Sequence, residues 1–222
     1  MEQSVKTRIP ARKLTILLLL AASDAGGTDQ APITGTTRMQ KLVFLAMEAS
    51  KDFIREDDSF EFDFSFTADK YGPADLDLYQ DLEVLKATGW LKIDGETGVG
   101  RADPGGVLEE GAKEGLPLLP EEQEEVEVSF EYLMGEHSEE IDLAEAERQF
   151  EREYRITEKG IARLEQIRIG SGKPDKFDRL AAVCGEVKHK YGDWPLSHLL
   201  RHVYTAYPET TVRSEIRGRI LH

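Results

Sequence analysis

The sequence predicts an α+β protein, mainly helical. Three observations carry that expectation. Apolar residues recur at helical spacing in several segments, residues 60–66 alternate aromatic and polar with period two, and Gly or Pro punctuates the segments between.

Residues 12–23 read as the first helix, with the apolar run 14–22 at its centre and Gly26-Gly27 supplying the stop. A Gly/Thr/Pro-rich connection over 26–35 follows. Thr36 or Thr37 then caps a second helix carrying Met39, Leu42, Val43, Leu45, Ala46 and Met47, which ends near residues 51–54. The alternation Phe60, Phe62, Phe64, Phe66 predicts a strand with four rings on one side, packed on the helices. Residues 69–73 form a turn, and Pro73 opens a third helix over about 74–88. Its buried face is expected from Leu76, Tyr79, Leu82 and Leu85, joined by Leu78, and Gly89 ends it.

Residues 90–93 read as a short strand. From 94 to about 120 the composition turns to Gly, Glu, Pro and Asp and loses periodicity, and 121–152 is Glu-rich and partly helical. Tyr154-Arg155-Ile156 is strand-like, and a helix opens at Thr157-Glu158-Lys159-Gly160. Two further helices follow, over about 177–191 and from Trp194-Pro195 to Tyr207. The order helix, helix, strand, helix, strand, long connection, strand, helix is close to that of a winged helix. The expected organisation is a winged-helix-like core over 1–93 and 153–168, an acidic insertion at the wing over 94–152, and a C-terminal helical extension over 173–222.

Charge is distributed unevenly along the 222 residues. Residues 101–150 hold 16 acidic side chains against 3 basic ones, whereas the formal net charge of the whole chain is −15. Outside that segment the protein is close to neutral, so the acidity does not exclude a nucleic-acid-binding face elsewhere. The single cysteine, Cys184, has no intrachain partner, which fits a reducing, cytoplasmic setting. Lys6, Arg8, Arg12 and Lys13 before the apolar run 14–22 imitate a secretory signal, but the run is too short to span a bilayer and reads better as a buried helix. No membrane role is expected.

Enzyme signatures are missing: there is no Walker A loop, no G-x-S-x-G elbow, no H-E-x-x-H and no G-x-G-x-x-G. No catalytic residue and no cofactor is therefore assigned. His198 and His202 lie four apart on a helix, and Cys184, His189 or Asp193 would have to complete a metal site with them; the C-terminal helices need polar residues on their solvent side in any case, and no metal is assigned. Cys184 between Val183 and Gly185 reads as a packed small residue. At the C-terminus Tyr204 and Tyr207 sit near Arg213, Arg217 and Arg219, a pairing that suits nucleic acid, a protein hot spot or a docked terminal helix.

A linked set of motifs resembles a known family. Thr37-Arg38-Met39-Gln40-Lys41-Leu42-Val43-Phe44-Leu45, then Lys70-Tyr71-Gly72-Pro73, then Asp81-Leu82 through Leu85 to Gly89-Trp90-Leu91, then Tyr154-Arg155-Ile156-Thr157-Glu158-Lys159-Gly160 is similar to the YwgA-like group. More distantly it resembles the Panacea domain of SocA-like antitoxins. The resemblance covers about residues 12–168. It implies a winged-helix-like fold with no known catalytic activity, and, from the Panacea side, action by contacting a protein. Leu42, Leu45 and Leu82 read as core within this pattern, and Arg38, Gln40, Lys41, Lys70 and Tyr71 as its polar contact positions, alongside Tyr207, Arg213, Arg217 and Arg219. The expected function is that of a protein-interaction adaptor or antitoxin/defence-associated factor. The alternative is a DNA-binding transcription regulator, disfavoured because the third helix offers Asp75, Asp77, Asp81 and Glu83 to the phosphates. A protein partner is thus expected first, nucleic acid second, and a homodimer stays open.

Overall fold

A computed structural model describes residues 9–56, 60–69, 71–95, 152–214 and 220. The acidic segment, residues 57–59, Lys70, Arg217 and Arg219 lie outside the described residues, as does the helical reading of 121–151.

Helix α1 (Ala11–Ala21) is the hub of the core. Leu14 and residues 16–20 are all 5% exposed or less, so the helix is buried around its circumference. It packs against α2 (Thr36–Glu56), α3 (Asp77–Ala87), α4 (Glu158–Gly170) and α5 (Pro174–Tyr191). Helix α2 presents Met39, Leu42, Val43 and Ala46 to this core, while α5 adds Leu180, Cys184 and Val187. Helix α6 (Leu196–Ala206) lies on α2 through its own stripe, Leu196, Leu199, Leu200 and Val203, and a 3-10 turn (Pro208–Thr211) follows it.

A three-stranded sheet lies against this bundle. Strands β6 (Leu91–Asp94) and β7 (Glu153–Ile156) pair antiparallel, with Leu91 opposite Ile156 and Ile93 opposite Tyr154. Alternation buries Leu91, Ile93, Tyr154 and Ile156 and turns Lys92 and Arg155 to solvent beside Asp94. Strand β2 (Ile33–Thr34) adds to the other edge of β7, giving the order β2–β7–β6. Two residues within a Gly/Thr/Pro-rich stretch were too few to signal β2; the buried Ile33, at 2% exposure, is what anchors it.

The junction of β6, β7 and α4 explains the Gly89-Trp90 and Thr157-Gly160 motifs. Thr157 Oγ1 accepts from the Gly160 N–H at 3.0 Å as an N-cap and donates to the Gly89 carbonyl at 2.7 Å. A Cβ at Gly160 would sit 2.2 Å from the Trp90 carbonyl oxygen, so only glycine lets the helix start this close to β6.

Three expectations are corrected. Residues 60–66 do not form one strand: β3 is only Phe60–Glu61, parallel to β1 (Ile9–Pro10), and 62–66 join no ladder. Side chains serve that backbone instead. Arg12 Nη1 donates to the Asp63 carbonyl at 2.5 Å, and the Ser65 N–H donates to Asp75 Oδ2 at 2.9 Å. Phe60 is buried, while Phe62, Phe64 and Phe66 are half-buried and run ring to ring towards Phe44.

Nor does Pro73 open a helix. Gly72–Ala74 is strand β5, paired with β4 (Thr67–Asp69) in a tight hairpin, and α3 begins at Asp77. Gly72 takes φ +87°, and a Cβ there would lie 2.6 Å from the Tyr204 ring, so both conformation and space demand glycine. The buried face of α3 is rotated from the expected one: Leu78, Asp81, Leu82 and Leu85 point inward, whereas Leu76 and Tyr79 are 68% and 45% exposed.

Candidate functional site

The polar residues of the N-terminal motifs converge where the start of α2 meets the β4–β5 hairpin and the start of α3. Gln40, 2% exposed, grips the Asp75 backbone with both ends of its amide: Nε2 donates to the carbonyl at 3.0 Å and Oε1 accepts from the N–H at 3.1 Å. One helical position on, Lys41 is equally buried and its Nζ donates to the Pro73 carbonyl at 2.9 Å. These two side chains hold the hairpin to α2. They satisfy backbone groups that an interior hairpin would otherwise leave unpaired.

A small pocket of about 30 Å³ opens beside Lys41. Thr37, Gln40, Asp69, Tyr71, Gly72 and Tyr79 complete its wall. Burial brings the Lys41 amine down to about 7, against a weaker upward pull from Asp69. The Tyr79 hydroxyl, hydrogen-bonded with Gln40, is pushed up by burial. The space suits one water or a group of one or two heavy atoms.

A second polar cluster lies under the first. Arg12, 6% exposed, donates from Nε to Asp81 Oδ2 at 2.5 Å and from Nη1 to Asp75 Oδ2 at 3.1 Å. Lys13 Nζ stands 2.5 Å from the other Asp81 oxygen, and Ser65 and the Asp77 N–H complete the acceptors' partners on Asp75. Burial opposes the Arg12 charge, but the bond and charge of Asp81 and the charges of Asp75 and Asp63 outweigh it and raise the guanidinium's pKa. The charge pattern alone placed Asp75 and Asp81 on the solvent face of α3. What it missed is that Arg12, in an otherwise apolar helix, needs buried counter-charges, which is the one signal that could have found them.

The remaining expected contact residues are scattered. The Arg38 guanidinium donates to the carbonyls of Gly192 and Trp194 at 2.9 and 2.5 Å, clasping the α5–α6 turn. Tyr71 lines the pocket, and Tyr207 packs edge-on against Phe44 with centroids 5.0 Å apart. Arg213 is exposed. Tyr204 is buried, its hydroxyl 2.8 Å from Ser214 Oγ.

His202 stacks on Tyr191 at 4.9 Å and His198 meets Trp194 at 6.3 Å, so the pair belongs to an aromatic cluster. Cys184 is fully buried, its thiol pushed far up by desolvation. Among the described residues no three His, Cys, Asp or Glu side chains gather as metal ligands, and no helix is long and apolar enough to cross a membrane. Comparison with family models, with curated proteins and with solved structures finds no match to this chain.

Proposed function

We propose that this chain is a non-catalytic, winged-helix-type protein of the cytoplasm that works by binding another protein, as an adaptor or an antitoxin- or defence-associated factor. The order α1–β2–α2–α3–β6–β7 and the sheet order β2–β7–β6 support the winged-helix reading, and in the chain the acidic insertion falls between β6 and β7, the connection that a wing would occupy.

The observation that carries the choice of partner is the outward face of α3, the helix a DNA reader would lay in the major groove. Leu76, Tyr79, Gln80 and Glu83 follow one another at i, i+3, i+4 and i+7 on that face, with Asp77 and Val84 at its edges, and all six are exposed. The acidic side chains repel phosphates, the apolar ones offer phosphates no hydrogen bond or charge, and both gain from a basic, apolar protein surface. Tyrosine, here Tyr79, is among the residue types enriched in binding hot spots. Arg38, the contact residue best placed to reach DNA from α2, is already taken by backbone carbonyls.

A photo-crosslinking amino acid at position 76, expressed in the native host, tests this. One protein should be captured stoichiometrically and lost when Tyr79→Ala is added, while Leu76→Asp changes stability by less than about 0.5 kcal/mol. Capture of a second copy of this chain would make the face a homodimer interface. A gel shift of random duplex at roughly 10 µM protein and low salt, with no captured protein, would overturn the reading in favour of DNA.

A further inference from the structure

Residues 62–66 pair with no strand, yet one edge of this segment is already filled. The rings of Phe62 and Phe64 lie 5.4 Å apart and those of Phe64 and Phe66 6.4 Å apart, so alternate side chains share one side, as in an extended chain. Phe44 and then Tyr207 continue the row on that side. The Asp63 carbonyl and the Ser65 N–H both point inward, to Arg12 and Asp75. Backbone groups of neighbouring residues in an extended chain point to opposite edges, so those of Phe62, Phe64 and Phe66 face the other one. Among the described residues they meet no hydrogen-bond partner. The outer edge is thus a strand edge without its ladder, beside the exposed Ser65, Thr67 and Asp69.

We propose that this edge pairs with the same edge of a second copy, antiparallel and centred on Phe64, so that the chain forms a two-fold dimer. The order Phe62-Asp63-Phe64-Ser65-Phe66 selects this occupant, because its rings recur in the same places when it is read backwards. A two-fold axis at Phe64 sets Phe62 opposite the partner's Phe66 and Phe64 opposite its own counterpart. These are the residues whose backbone groups are free, so each pair exchanges both of its N–H···O bonds. Their rings fall on one side and add cross-strand aromatic contacts.

Charge fits the same register. Asp63 comes opposite Ser65 and Glu61 opposite Thr67, so no two like charges face each other. Asp63 enters the ladder with its carboxylate already accepting from the Arg12 N–H. No Lys or Pro, the usual blockers of edge pairing, falls within residues 60–66.

The full chain is brought to about 100 µM in roughly 0.3 M salt, which screens the repulsion between two copies of net charge −15, and its mass is read by sedimentation equilibrium. It should sediment as two copies of 25.0 kDa. A monomer at that concentration overturns the proposal. Phe64→Lys and Phe64→Glu each set like charges face to face, and each should weaken association at least about tenfold. An equimolar mixture of the two sets opposite charges face to face and should restore the dimer, which a loss of fold could not do. A Phe64→Lys protein as dimeric as its parent, or a mixture that stays monomeric, overturns the assignment. Leu76→Asp, on the outward face of α3, should leave the dimer intact; loss of the dimer in that variant moves the interface to α3 and overturns this one.

Residue-resolved amide exchange of the parent protein gives a reading that needs no variant. Between about 1 and 100 µM the N–H groups of Phe62, Phe64 and Phe66 should slow about tenfold or more, while that of Ser65, held by Asp75 within one copy, should not change. Equal rates at the two concentrations for all three phenylalanines overturn the proposal.

Discussion

The Nζ of Lys188 lies 2.8 Å from the carbonyl oxygen of Ala22 and joins α5 to the C-terminal end of α1. A cation there answers the unpaired carbonyls of the last turn. Burial nonetheless lowers its pKa to about 8, and lowers that of Lys41 to about 7, from an ordinary 10.5.

These two shifts predict stability that rises with pH. Between about 7 and 10.5 the unfolded chain binds more protons at these lysines than the folded one, so raising pH favours the fold across that window. Tyr204 works the other way: burial lifts it from 10.0 to about 12, so the folded state keeps a proton the unfolded state loses, and stability falls across that interval. The raised Cys184 thiol acts in the same sense above its ordinary 9.0. The urea midpoint should therefore climb from pH 7, peak between about 9 and 10, and fall beyond. Lys41→Met should flatten the climb at its lower end. A profile already declining from pH 7 to 9 would contradict the burial of both amines.

Arg12 and Asp81 supply the next prediction. Replacing Arg12 with Met leaves Asp75 buried with no cation and Asp81 with Lys13 alone. Removing one partner of a buried ion pair costs about 3–5 kcal/mol, because the other charge is left uncompensated. The Arg12→Met/Asp81→Asn double variant should recover part of that loss, which a double-mutant cycle in urea reads directly. A single-variant cost under about 1 kcal/mol would mean that water reaches the cluster in solution.

What the chain disclosed in advance divides along physical lines. Helices α1, α2, α5 and α6 were legible because their apolar stripes are long enough to fix a period. Strands β6 and β7 were legible from three or four alternating residues, β6 just after Gly89 and β7 just before the helix start at Thr157. The 60–66 segment misled because period two reports a one-sided extended chain, whereas a strand also needs a ladder partner, and here Arg12 and Asp75 took the backbone groups. The rotation of α3 was hidden because Asp81 reads as a surface residue until Arg12 is known to lie against it. At the candidate site the sequence pointed to Gln40, Lys41 and Tyr71, but no local pattern reveals that the pocket closes with Asp69 and Tyr79 from two other elements.

Two glycines separate close packing from mere helix propensity. In Gly160→Ala the new methyl would stand 2.2 Å from the Trp90 carbonyl and 2.8 Å from Ile156 Cγ1. Backbone oxygen cannot yield, so α4 must slide away from β6, breaking the Thr157 cap and opening the sheet edge. A loss of about 2–4 kcal/mol is expected, combining overpacking with a lost cap. Gly185 lies inside α5 with nothing within 4 Å of its built Cβ. Alanine there costs no contact and narrows the unfolded ensemble, so Gly185→Ala should stabilise by about 0.5–1 kcal/mol. The two urea midpoints should therefore move in opposite directions for the same chemical change, and a Gly160→Ala protein as stable as its parent would show that α4 does not start against Trp90.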